Sequence, residues 1–181
     1  NITNLKGIII EPMDQTLWCD DTCPKCRGKT LSSRVVEYVK VLKKAAESVR
    51  KDAKIVLFHW GYPYHDRSDR DSLISRMPKD VLVINAYTDG RRQVVDGEFL
   101  HYGTHYDVSA IPIPGEVFLK DVEVCNSNGL EWVSYHSIGG GMELGPVPYA
   151  PVPYNQIQIL ADLKSFGGSG IFDEGGPYPE P

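Results

Sequence analysis

The sequence predicts an α/β fold of about five parallel strands with covering helices, a partial (β/α)8 TIM barrel. Three observations predict it. Short apolar runs alternate with amphipathic stretches along the 181 residues, and alternating βα units build parallel sheets. The runs are apolar throughout rather than at every second position, as in strands buried on both faces. Polar and aromatic residues collect just past the C-terminal ends of the runs, where a βα barrel carries its site.

The elements follow in order. "GIIIE" (7–11) is the first strand. "SSRVVEYVKVLKKAAESVRK" (32–51) carries Val35, Tyr38, Val39, Leu42, Ala46 and Val49 at helical spacing, with Ser32 or Ser33 as N-cap. The lysines of "KVLKK" fall on its outer, solvated face. "KIVLFHW" (54–60) is the second strand. "SDRDSLISRM" (68–77) is a short helix capped by Ser68 or Asp69 and stopped by Pro78. "DVLVINAY" (80–87) is the third strand.

Segment 88–112 breaks the rhythm. "DGRRQVVDGEFLHYG" reads as a small polar hairpin with "DG" as its turn, inserted in a loop. "PGEVFLKDVEVCNSNG" (114–129) has the β-branched content of a strand. Phe118, Val122 and Cys125 nevertheless share one helical face, Pro114 suits a helix start and Gly129 a C-cap, so a helix is expected. "LEWVSYHS" (130–137) is the fourth strand, "YNQIQILADLKSFGG" (154–168) a helix ending at Gly167, and "SGIFDE" (169–174) the fifth strand. Five βα units are more than half of a barrel. No G-x-G-x-x-G follows the first strand, which disfavours a dinucleotide-binding Rossmann domain.

The net charge of −5 argues against a nucleic-acid partner, whose binding surface is normally basic. No apolar run approaches a membrane span. The chain opens without a methionine, runs almost directly into its first strand and ends just after its last. It reads as the C-terminal part of a barrel, with the rest of the parent chain as its partner. A secreted or periplasmic setting is the favoured expectation.

Three kinds of residue could carry chemistry. Cys19, Cys23 and Cys26 are spaced C-x3-C-x2-C. Radical S-adenosylmethionine enzymes use that spacing to hold a [4Fe–4S] cluster. They also need a glycine-rich cofactor strand soon after, and here the next strand ends in the aromatic "FHWGYPYH". A structural zinc would need a fourth ligand. Cys125, His59, His65 and Asp14 are the options, although Cys125 reads better as a small buried hydrophobe. A disulfide between two of the three suits an exported protein. The sequence leaves these alternatives open.

The second kind is carboxylates. Glu11 ends the first strand and Asp14 follows three residues on, while Asp173 and Glu174 end the fifth. Glycoside hydrolysis needs two such groups flanking the scissile bond. The third kind is aromatic and hydrogen-bonding residues in the same places. Trp18, Trp60, Tyr62, His59, Asn85, Tyr87 and His136 are the candidate sugar contacts, because flat amphipathic rings suit the mixed C–H and hydroxyl faces of sugars. Tyr38 and Trp132, inside elements, read as core. The loop "GGGMELGPVPYAPVPY" is shaped by Gly and Pro to line a site, and lacks the G-K-[ST] ending of a P-loop.

With these residues in place, "PMDQTLWCDDTCPKCRGKT" followed by "SSRVVEYVKVLKKAAESVRKDAKIVLFHWGYPY" resembles a bacterial glycoside-hydrolase-like TIM-barrel family. Much of that family carries a domain of unknown function placed near alpha-glucuronidases and beta-N-acetylhexosaminidases. The later "GPVPYAPVPYNQIQILADLKSFGGSGIFDEGGPYP" is similar to its end-of-barrel pattern. The resemblance covers most of the chain except the insertion around 88–112. It implies that Asp14 is the family's loop acid and that Cys23 and Cys26 are its C-x-x-C. The expected activity is hydrolysis of a glycosidic bond in an oligosaccharide or polysaccharide. Asp14 and Glu174 are the acid/base pair, with Glu11 and Asp173 close behind; no cofactor is required, and Cys19, Cys23 and Cys26 are left to a structural zinc or a disulfide. The alternatives are a barrel that binds carbohydrate without catalysis and a radical S-adenosylmethionine enzyme.

Overall fold

A computed structural model describes residues 6–12, 22–59, 66–90, 92–95, 98–101, 112–135 and 153–172. The elements run β1 (Gly7–Ile10), α1 (Leu31–Val49), β2 (Lys54–Phe58), α2 (Arg67–Ser75), β3 (Val81–Ala86), β4 (Arg92–Val95), β5 (Glu98–His101), α3 (Glu116–Ser127), β6 (Trp132–Tyr135), α4 (Pro153–Ser165) and β7 (Gly170–Phe172). The fold is α/β, and the described residues form a five-stranded all-parallel sheet and four helices. The sheet order is β1-β2-β3-β6-β7, the order of the sequence once the β4–β5 hairpin is set aside. That is the order of consecutive βα units in a barrel segment.

The ladders show why the strands are parallel. Gly7 pairs with Lys54 and Ile10 with Leu57 at a constant offset. The Val83 amide donates to the Glu131 carbonyl and the Tyr87 amide to that of Tyr135, again at one offset. Val133 pairs with Gly170 and Tyr135 with Phe172. The hairpin in the insertion pairs antiparallel as its own two-stranded sheet, Arg92 opposite His101 and Val95 opposite Glu98. Val95 and Glu98 flank the Asp96–Gly97 of the second "DG".

The chain divides into two compact units, Asn1–Val83 with Val124–Glu131, and Ile84–Glu123 with Trp132–Pro181. In the first, Val35, Val36 and Val39 of α1, Ile55 and Leu57 of β2 and Leu73 and Ile74 of α2 form the buried core. Two cap expectations need correcting. Thr30, not Ser32 or Ser33, caps α1 and accepts from the Ser33 amide. Asp66, not Ser68 or Asp69, caps α2 and accepts from the Asp69 amide at 3.0 Å. Each helix begins one turn-position earlier than its most obvious polar pair, because the side-chain oxygen must reach the third helical N–H.

Displacing Asp69 from the cap gives it another task. Its carboxylate accepts from the Ser32 backbone N–H at 3.1 Å and from the Ser32 hydroxyl. One acid in the first turn of α2 thereby satisfies an orphan donor in the first turn of α1, and both helix N-termini favour its charge. Lys43 is a further correction. It is not a freely solvated lysine but pairs with Glu47 one turn on and with Asp80. Tyr38 is 43% exposed rather than core, and Val49 is 90% exposed.

In the second unit the core is aromatic. Phe118 packs on Tyr87, Trp132 and Phe166 with ring centroids 5.3, 5.8 and 6.3 Å apart. Trp132 is core, as expected. Within α3, Phe118, Val122 and Cys125 are all buried along one stripe. The α3 helix stops as the sequence suggests. Gly129 takes φ +62, and the Leu130 amide returns to the Cys125 carbonyl at 3.0 Å, the closing bond of a glycine-ended helix.

Candidate active site

In a series of parallel βα units the loops after the strands share one rim. In the first unit β1 ends into Glu11, which is exposed, and Pro12, which is buried. β2 ends into His59, only 2% exposed. Residues 22–28 follow on the approach to α1. There the Cys26 and Arg27 amides both donate to the Cys23 carbonyl, at 3.1 and 2.9 Å, and the Lys29 amide donates to that of Cys26. The chain makes one helical turn, which places positions 23 and 26 on the same side of it. Arg34, in the first turns of α1, donates from Nη2 to the Cys26 carbonyl at 3.2 Å, and Lys29 pairs with Glu37 at 2.7 Å. The turn is therefore tied to α1 by backbone and side-chain bonds.

This geometry bears on the cysteines. Both are half-buried, and Cys26 holds a free thiol, so no bridge joins it to Cys23. Among the described residues no group of three or more His, Cys, Asp or Glu is arranged to hold a metal ion. Cys19, the third member of the predicted set, lies outside the described residues, as does His65. Cys125 is fully buried on α3, the small-hydrophobe role its spacing suggested.

In the second unit β3 leads into a tightly held corner. Asn85 is fully buried. Tyr87, expected as a rim contact, lies in the core instead. It is 0% exposed, its ring is against Phe118, and its hydroxyl donates to Asp162 at 2.8 Å. Gln158 donates to the other oxygen of Asp162. A tyrosine can be drawn inward this way because a partner on α4 takes its one polar atom. Asp89, 5% exposed, follows. Its carbonyl accepts from the Val117 and Phe118 amides, both at 3.1 Å, and so covers two orphan donors at the start of α3. The approach is close enough to require glycine at 115, where a Cβ would stand 1.9 Å from the Asp89 carbonyl oxygen.

The ends of β6 and β7 carry an aromatic pair. Tyr135 and Phe172 are in register, each the last residue of its strand, and both are half-buried. Their rings lie 6.2 Å apart, inclined at 34°. His136 and the Asp173–Glu174 pair come next in sequence, outside the described residues. Asp14, Trp18, Trp60 and Tyr62 are outside them too.

Two buried charges escaped the sequence reading. Arg70 of α2 is 2% exposed and Asp121 of α3 is 1% exposed. A signal existed for each, since Arg70 precedes Leu73 by three positions and Asp121 follows Phe118 by three, placing both on apolar stripes.

No protein-family model matches this chain, and neither does any curated protein sequence.

Proposed function

We propose that this chain is part of the catalytic barrel of a carbohydrate-active enzyme related to the bacterial glycoside-hydrolase-like family named above. It would hydrolyse a glycosidic bond with paired carboxylates on the strand-end rim. Asp14 and Glu174 serve as acid and base or nucleophile, with Glu11 and Asp173 as the neighbouring carboxylates. The observation that carries the reading is the end of β6 and β7. There a parallel, in-register pair of strands finishes in two aromatic rings immediately ahead of His136 and Asp173–Glu174. Aromatic faces beside carboxylates are what a sugar ring and its leaving oxygen require. In this reading the rest of a parent polypeptide completes the barrel, and the cysteine turn of residues 22–28, tied to α1, stands next in sequence to the segment of Asp14 and Trp18.

The test separates binding from turnover. In Asp14→Ala and Glu174→Ala, hydrolysis of 4-nitrophenyl glycosides should fall about 10²–10⁴-fold, while binding of the same sugars, read by tryptophan fluorescence, persists. Unchanged rates in both variants would remove these carboxylates from the mechanism. A wild-type protein that binds sugars and never turns them over is a binding barrel. Several equivalents of iron in the purified protein would move the chemistry to the cysteines.

A further inference from the structure

Helix α3 is joined to β6 by residues 128–131, Asn-Gly-Leu-Glu, and Asn128 is the only asparagine in the sequence that a glycine follows. An asparagine side chain can close on the backbone nitrogen of the next residue. That nitrogen attacks Cγ, ammonia leaves, and a five-membered succinimide ring forms. Water then opens the ring at either carbonyl and gives aspartate or isoaspartate. A side chain on the following residue crowds the ring, and glycine has none. Asn85, Asn126 and Asn155 are followed by Ala86, Ser127 and Gln156, which hinder the closure.

The fold installs this pair and then restrains it. Gly129 takes φ +62, and a Cβ there would meet nothing within 4 Å. Backbone conformation, not lack of space, therefore calls for glycine at the end of α3. The same cap holds the two reacting groups apart. The Gly129 N–H, on the nitrogen that would attack, donates to the Asn126 carbonyl at 3.1 Å. The Asn128 Nδ2, the group that would leave, donates to the Val124 carbonyl at 2.8 Å, which turns the side chain back along the helix and away from residue 129. Lys79 donates to the Asn128 carbonyl, and the Leu130 amide donates to that of Cys125. Leu130 and Cys125 are both buried, the apolar pair that accompanies such a cap. Asn128 is half-buried and Gly129 exposed, so water reaches the pair once these bonds open.

We propose that Asn128–Gly129 is a self-modification site gated by the C-cap of α3, converting to aspartate or isoaspartate when the end of the helix opens. The product cannot rebuild the cap. Aspartate at 128 puts a carboxylate at the C-terminal end of a helix, where the dipole opposes it, and removes the donor to Val124. Isoaspartate also adds a main-chain carbon between residues 128 and 129, only three positions before β6 begins. The change is thus a one-way record of local opening, and it uses none of the rim carboxylates.

The experiment incubates the 181-residue chain in neutral buffer, folded and in urea. The proteolytic peptide carrying residue 128 is followed by mass and by labelling with an isoaspartyl methyltransferase. Conversion should be at least about tenfold slower in the folded chain, because only the opened fraction reacts. Leu130→Ala removes the side chain that anchors the cap. In the folded variant it should raise the rate about threefold or more and leave the rate in urea unchanged. Asn128→Gln should show no conversion in either state. The converted fraction, separated by charge, should melt about 2–4 °C lower than the unconverted chain. Equal rates in the folded and urea-unfolded chain, or no conversion at 128 in urea, overturn the proposal. So do a folded rate that Leu130→Ala leaves unchanged and a converted fraction that melts with the unconverted chain.

Discussion

Strands β1 and β3 are both mainly apolar runs and live in different surroundings. Gly7–Ile10 is glycine and three isoleucines, and Val81–Ala86 is Val-Leu-Val-Ile-Asn-Ala. In β3 four of six positions are buried, Val83 and Ile84 almost completely. In β1 only Ile10 is, and Ile9 is half in water. Composition is therefore not what buries a strand in this sheet. Position in the strand order is: β3 lies between β2 and β6, and β1 has one neighbour among the described residues. The comparison also separates two sorts of strand end. The end of β3 is locked, with Tyr87 and Asp89 drawn into the packing of α3 and α4. The end of β1 passes into the exposed Glu11, with Asp14 three positions on in sequence.

The contrast can be broken by matched substitutions, each read by chemical denaturation of the 181-residue chain. Ile84→Ala, at the centre, should cost about 2–5 kcal/mol. Ile9→Ala, at the edge, should cost about 1 kcal/mol or less, because half the side chain is already in water. Equal costs would mean that the two strands are equally covered. Gly115→Ala tests the locked corner of β3. A Cβ there meets the Asp89 carbonyl, and about 1–3 kcal/mol should be lost as the corner shifts.

In the first unit Asp69→Ala removes the acceptor that the first turn of α2 offers to the start of α1. It should cost about 1–2 kcal/mol, the size of a lost helix cap. The smallest effect belongs to Lys43→Met, under about 1 kcal/mol, since Asp80 is largely exposed. Its pH signature is the sharper reading. The hydrogen bond from Lys43 holds Asp80 below its ordinary value of 3.8. That contribution is present above 3.8 and disappears as pH falls from there through the lower folded value. The bond to Asp80 likewise raises Lys43 above 10.5, so its share is intact below 10.5 and is lost as pH rises through the higher folded value. Both slopes should be absent in Lys43→Met.

The elements themselves were legible because period is a local property. The α3 segment is the clearest case. Its β-branched residues suggested a strand, yet the spacing of Phe118, Val122 and Cys125 decided correctly for helix. Features set by distant partners were not legible. Tyr87 belongs to the core because Asp162, far along the chain, accepts from its hydroxyl. The caps were misplaced because "TLSS" and "DRSD" each offer several side-chain oxygens, and only the path of the chain selects Thr30 and Asp66. Tyr38 reads as core in the sequence because a helix between a sheet and neighbouring helices can carry two apolar stripes, and periodicity does not say which of them meets the sheet. Of the candidate site, the sequence located strand ends and the cysteine turn. It could not distinguish His59 and Asn85, which are buried, from Glu11, which is exposed.

The most direct test of the central claim, that rim carboxylates and not cysteines carry the chemistry, is turnover of a 4-nitrophenyl glycoside panel by Glu174→Gln and Cys26→Ser beside the wild type. The account predicts a loss of about 10²–10⁴-fold in Glu174→Gln and wild-type turnover in folded Cys26→Ser. Turnover abolished in folded Cys26→Ser and untouched in Glu174→Gln would contradict it.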